Sequence, residues 1–299
     1  MKPKTVLWRV AQVALAIIIT LGIVRTLAPE LGKVSWHDFA NFQPSWWRLL
    51  LSTAFLLGFY MLHAWLWRRM TVEFGRRPLS YRSALRIYFV SGLGRYIPGK
   101  LWQVAGMAML AQRAGISPVA ATAASLLGQL GFITTGLVYL ALLIPARGVA
   151  LPIVSALVLT GAVWVGYRAR HWVAGQIKRI QPAVDMLDRL SASTALQWWL
   201  WYGASWIVLG VAFVLFTSAF VTLSLTQQLY VGGTVAAAYL GGLLAFFSIA
   251  GLGVREAVMG SLLVTVMSPP AALVVSVASR IWFTLGELLP ILLGKHRET

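Results

Sequence analysis

The stretch S-G-L-G-R-Y-I-P-G-K-L-W-Q, Ser91 to Gln103, decides how this chain folds. It interrupts a hydrophobic run with three glycines and a proline, and it places Arg95 and Lys100 where an ordinary membrane helix would tolerate neither. Pro98 has no backbone N–H to give and disfavours helix at Ile97, while Gly92, Gly94 and Gly99 lower helical preference on both sides. A helix is therefore expected to stop near Ile97 and restart near Leu101. A second stretch, S-I-A-G-L-G-V-R-E from Ser248 to Glu256, repeats the pattern with Gly251 and Gly253 ahead of Arg255 and Glu256. Non-helical backbone at membrane depth persists only where protein or a water-filled cavity covers it, so two broken, charged segments predict a substrate site.

Composition sets the class around these breaks. With 59% hydrophobic and 11% charged residues and a mean hydropathy of +0.77, the solvent of the fold is lipid. At about 20 residues per span, 299 residues leave room for roughly six to eight membrane segments and no sizeable soluble domain. The net charge of +17 sits in short loops between apolar segments, which is the positive-inside pattern rather than a nucleic-acid surface, and it favours anionic head groups. Cysteine is absent, which excludes disulfides and thiolate metal sites. His37, His63, His171 and His296 lie far apart with no metal-binding spacing, so neither a metal nor a cofactor is expected. No nucleophile-base pair and no phosphate-loop run is present, and an enzyme is not expected.

Taken in order, the chain reads as an all-α polytopic membrane protein. A first span, about 10 to 27, follows Lys2, Lys4 and Arg9 and is expected to be retained rather than cleaved. A second runs from about Leu49 to Trp67 and ends at Arg68 and Arg69. Arg76, Arg77, Arg82 and Arg86 mark that end as cytoplasmic. From Arg82 a helix enters the membrane, breaks at Pro98 and Gly99, and returns from Leu101 to about Ala114. Each arm is about 14 residues, or roughly 21 Å, too short to cross a core about 30 Å thick, so a re-entrant hairpin is expected. Ser117 and Pro118 start a span to about Ile144, and another follows from about Ile153 to Tyr167. Residues 172–190 carry apolar positions every three or four residues and predict an amphipathic connector on the cytoplasmic surface, restarted near Pro182. A further span, about Trp198 to Phe220, leads to an outer polar patch from Thr222 to Gln228. A second hairpin follows from about Tyr230 to Val266, then a Ser268-Pro269-Pro270 turn and a last span from about Ala272 to Leu293. The total is about six full spans and two hairpins, with both termini cytoplasmic and the inner (plasma) membrane as location.

The two halves share a layout. Repeat 1, about 82–144, and repeat 2, about 230–293, each hold an apolar helix, a glycine-rich break with a cation, a short helix, a Ser-Pro turn and a long span. Gln129 lies eleven residues after Pro118, as Arg280 does after Pro269. The loop charges place the first hairpin's entry on the inside and the second's on the outside, which predicts an inverted repeat of the kind found in alternating-access transporters.

Arg95, Lys100, Arg255 and Arg280 all fall at membrane depth. Four unpaired cations there would cost on the order of 10 kcal/mol. Glu256 and Glu287 are the acidic residues at comparable depth, so pairing leaves roughly two positive charges and room for an anionic group. Tyr96, Trp102 and Gln103 are candidates to line the same cavity. The competing structural reading pairs Arg255 with Glu256 and Arg280 with Glu287, and lets Arg95 and Lys100 reach the inner surface.

The run G-R-Y-I-P-G-K-L-W (Gly94–Trp102), the run A-G-L-G-V-R-E-A (Ala250–Ala257) and H-A-W-L-W-R-R (His63–Arg69) resemble the lysylphosphatidylglycerol synthase transmembrane, flippase-like, family. The resemblance implies that Arg95, Pro98, Gly99, Lys100, Gly253, Arg255 and Glu256 are motif positions, and that an aminoacylated lipid or a related one is moved between leaflets. No soluble aminoacyl-transferase domain follows within these residues, so synthase activity is not expected. Where many relatives carry a proline before the second glycine motif, this chain has Ser248 and Ile249, which implies a softer break. The expected partner is an anionic membrane lipid or a polyprenyl-phosphate-linked lipid, in company with envelope or lipid biosynthesis enzymes. The alternatives are a non-catalytic scaffold of a lipid, glycan or hopanoid pathway, or a membrane enzyme using Glu256 or Glu287. Oligomeric state is left open by the sequence.

Overall fold

The computed structural model describes residues 43–96, 102–143, 157, 161, 165, 168–176, 181–244 and 253–294. Within them the chain is helical. In order the helices are α1 (Trp46–Gly75), α2 (Tyr81–Gly92) with a 3-10 turn (Leu93–Tyr96), α3 (Trp102–Arg113), α4 (Pro118–Leu143), α5 (Gln181–Asp188), α6 (Ala192–Ser218), α7 (Leu225–Leu244), α8 (Val254–Leu263) and α9 (Pro269–Gly294). Among the described residues four helices are long and apolar enough to cross a membrane: α1, α4, α6 and the Pro269–Ile291 part of α9. They coincide with four of the expected spans. The span expected at 10–27 lies outside the described residues, as does most of the one expected at 153–167.

Local chemistry sets the helix starts. Serines cap several of them: Ser80 Oγ accepts the Ser83 N–H at 3.1 Å before α2, and Ser191 Oγ accepts the Thr194 N–H at 3.1 Å before α6. Pro118 and Pro269 occupy first helical positions, where a missing N–H costs nothing. Two boundaries differ from expectation. The polar patch after Phe220 is no extended loop, because Ser224 and Gln227 form a reciprocal capping box: the Ser224 N–H donates to Gln227 Oε1 at 2.9 Å, and the Gln227 N–H donates to Ser224 Oγ at 3.4 Å. Hence α7 begins at Leu225 rather than near Tyr230. Helix α1 continues past Trp67 to Gly75, since its two arginines find partners on the way: Arg68 Nε donates to the Leu79 carbonyl, and Arg69 lies over the Trp65 ring at 5.4 Å.

The chain divides into two compact units. The first, here the Trp206 unit, comprises Gly58–Gly92, Trp102–Val208 and Pro290–Thr299. In it α2 packs on α3, α3 on α4 and α4 on α5. Gly128, Gly131 and Gly136 give α4 a small-residue stripe against Tyr202 and Trp206 of α6, the close approach that membrane helices use in place of a hydrophobic drive. Phe132 stacks on Trp206 at 4.1 Å, and His63 meets Ser205 Oγ at 3.0 Å in the buried interior. The predicted amphipathic connector is helical over 168–176 and Gln181–Asp188, where Arg170 pairs with Asp188 at 2.7 Å.

The second, the Arg280 unit, comprises Met1–Leu57, Leu93–Leu101 and Leu209–Leu289. Helix α7 packs on α8. Trp282 of α9 stacks on Phe216 at 4.6 Å and donates its indole N–H to Thr53 Oγ1 at 3.1 Å. Gln227 Nε2 donates to the Val266 carbonyl at 2.9 Å and ties the start of α7 to the end of the α8 segment. These contacts hold α9 at fixed rotation, and rotation decides which of its residues face the charges.

Candidate functional site

Helix α9 carries Arg280, Phe283, Thr284 and Glu287 at spacings of three, one and three residues, which puts all four on one helical face. From Arg280 to Glu287 this face extends about 10.5 Å along the axis. Each station receives a partner from elsewhere in the Arg280 unit. Glu256 Oε1 lies 3.8 Å from Arg280 Nη1. The Arg255 guanidinium lies 4.0 Å from the Phe283 ring centroid. Arg95, from the 3-10 turn, meets Glu287 Oε1 at 2.5 Å. Thr284 turns its hydroxyl back to the Arg280 carbonyl at 2.9 Å.

The result is a row in which three arginines alternate with two carboxylates and an aromatic face. All five charged residues are half-buried, with 13% of the Glu287 side chain and 30% of that of Arg95 accessible. Partial burial matters because an ion pair removed from bulk water is screened less, and each charge depends more on its partner.

The pairing differs from that of the competing structural reading. Adjacent residues on a helix do not face each other, so Arg255 and Glu256 diverge from the first turn of α8 to Phe283 and Arg280 respectively. Residues seven apart share a face but stand a full 10 Å or so apart, so Glu287 takes Arg95 as its near neighbour. The same contact turns Arg95 towards Glu287, where the competing reading has it reach to the inner surface.

Glu256 has a second duty. Gly253 precedes α8 with φ +86°, a conformation that side chains resist, and its N–H donates to Glu256 Oε2 at 2.8 Å. One carboxylate thus caps the restarted helix and faces Arg280. Gly253→Ala is expected to cost about 1–2 kcal/mol through backbone strain, and Glu256→Ala about 1 kcal/mol through the lost cap. Glu256→Gln should keep the cap. Thermal melting of the three variants in detergent checks this order.

Of the other residues singled out in the sequence, Gly94 lies in the 3-10 turn beside Arg95, as does the backbone of Tyr96. Pro98, Gly99, Lys100 and Gly251 lie outside the described residues. Gln103 on α3 and Gln129 on α4 are half-buried residues of the Trp206 unit. Phe283 and Thr284 complete the row and were not singled out; their signal is the helical spacing from Arg280. Among the described residues no three His, Asp or Glu side chains gather to hold a metal ion.

No curated protein matches this chain. The model of one family, described as lysylphosphatidylglycerol synthase TM region, matches residues 11–290 and takes in both glycine-rich breaks and every residue of the row. The chain therefore belongs to the lysylphosphatidylglycerol synthase transmembrane-region family.

Proposed function

We propose that this protein moves the anionic head group of a phospholipid or polyprenyl-phosphate-linked lipid between the leaflets of the plasma membrane, without chemistry of its own. The observation that carries the reading is the row on α9, where three arginines and two glutamates gather on one half-buried face. Charge in a membrane protein is costly and is kept where it meets a substrate. An anionic phosphate at this face would meet the arginines while its acyl chains stay in the bilayer.

On this reading the packed pairs α2–α3 and α7–α8 are re-entrant hairpins, and the two Ser-Pro-initiated helices α4 and α9 are the corresponding spans of an inverted repeat. The cytoplasmic side is the one bearing Arg68, Arg76 and Arg82. Membership in a lipid-related membrane family supports the substrate class.

Binding tests the reading. The purified protein should retain phosphatidylglycerol over phosphatidylcholine in native mass spectrometry, and Arg255→Gln should weaken retention roughly tenfold, the scale of one half-buried charge contact. Equal binding of both lipids, unaffected by the substitution, would favour the accessory scaffold instead.

A further inference from the structure

The two ion pairs of the row are built differently. Arg95 and Glu287 are in direct hydrogen-bonding contact at 2.5 Å. Arg280 and Glu256 stand 3.8 Å apart, attracted but beyond hydrogen-bond range. Glu256 is anchored from its other oxygen by the Gly253 N–H. It also lines the end of an open groove between α8 and α9 whose other walls include Gly260, Val264, Ala272 and Ser276. A carboxylate in reach of both a guanidinium and a backbone N–H at a helix start sits among the donors that a phosphate oxygen uses.

We infer that Glu256 is a resident counter-anion on Arg280, displaced there by the phosphate of the transported molecule. This rests on the transport reading above and adds the residue that sets affinity at its seat. The exchange leaves an anion beside Arg280 before and after. Competition also keeps the phosphate from binding too tightly to leave, a requirement shared by any site that must both take and release an ion. Glu287, locked onto Arg95, takes no part in this exchange. The recognised chemistry is a phosphate ester, carried by a lipid head group or by a free phosphate.

The test is a pair of binding titrations on the full chain in detergent, one with phosphatidylglycerol and one with glycerol phosphate, using Glu256→Gln. Glutamine keeps an oxygen for the Gly253 N–H, so the cap survives while the competing charge goes. Affinity is expected to rise roughly threefold to tenfold, the effect of removing one solvent-reachable ionic competitor, and leaflet exchange to slow. The gain should vanish in Glu256→Gln/Arg280→Gln. A gain with the lipid alone assigns the site to head groups, and a gain with both ligands assigns it to the phosphate itself. Unchanged or weaker binding of both, with native binding intact, would overturn the inference and leave Glu256 a structural cap. Native protein that binds neither ligand would overturn the transport reading along with it. Arg280→Gln alone leaves the cap untouched; it should lower affinity about tenfold in the folded fraction, and normal affinity in that variant would also contradict the exchange.

Discussion

Gly136→Val is expected to destabilise the protein by about 3 kcal/mol or more. A Cβ at Gly136 would lie 2.5 Å from Trp206 Cζ2 and 2.7 Å from Cε2, inside any real contact distance. The indole cannot step aside cheaply. It is fully buried, stacked face to face on Phe132 with an interplanar angle of 3°, and its N–H donates to the Phe132 carbonyl at 2.8 Å. Moving it sacrifices the stack and leaves a buried donor unpaired, a penalty of about 1–3 kcal/mol by itself. The measurement is thermal unfolding in detergent, with Gly58→Ala as the control. Nothing lies within 4 Å of a Cβ at Gly58, so that change should fall within about 0.5 kcal/mol of native or stabilise slightly. In a Trp206→Phe background the cost of Gly136→Ala should shrink, because the clashing ring edge is gone.

The second large effect concerns Arg95 and Glu287. Glu287→Ala leaves the half-buried Arg95 guanidinium without the carboxylate that it touches at 2.5 Å, and loss of a hydrogen bond between charged groups costs about 1.5–3 kcal/mol. Arg95→Gln/Glu287→Gln removes both charges and should recover most of that stability, since a neutral pair can hydrogen-bond without a charge to desolvate. Lipid movement should stay lost in the double variant. Recovery of stability without recovery of transport would separate the structural duty of the pair from the proposed use of Arg95 as a cation for substrate.

Much of this fold is legible in residues that act locally. Pro118 and Pro269 start helices because a first-turn proline forgoes only an N–H with no helical partner, and that rule needs no tertiary information. Glycines near 92–94 end α2 and tighten it into a 3-10 turn for the same kind of reason. The partners of the charges are less legible. Sequence proximity suggests Arg255 with Glu256, yet neighbours on a helix point about 100° apart, and the partners come from α9. Arg95 and Glu287 are 192 residues apart in the chain, and no local pattern connects them. The Ser224–Gln227 capping box, in contrast, is written in the sequence as S-x-x-Q; it is masked there by the habit of reading polar clusters as loops. The glycine stripe on α4 is likewise visible by spacing, but the aromatic residues that it meets on α6 emerge only from packing.

On the proposed function the arginines of the α9 row carry an anionic head group across the bilayer. Its most direct test is leaflet-resolved exchange of labelled phosphatidylglycerol and phosphatidylcholine in proteoliposomes containing the native protein, Arg95→Gln or Arg255→Gln. Faster exchange of the anionic lipid by the native protein is expected, and its loss in both variants at equal reconstitution. Exchange that ignores lipid charge, or that persists unchanged when either arginine is neutralised, would contradict it.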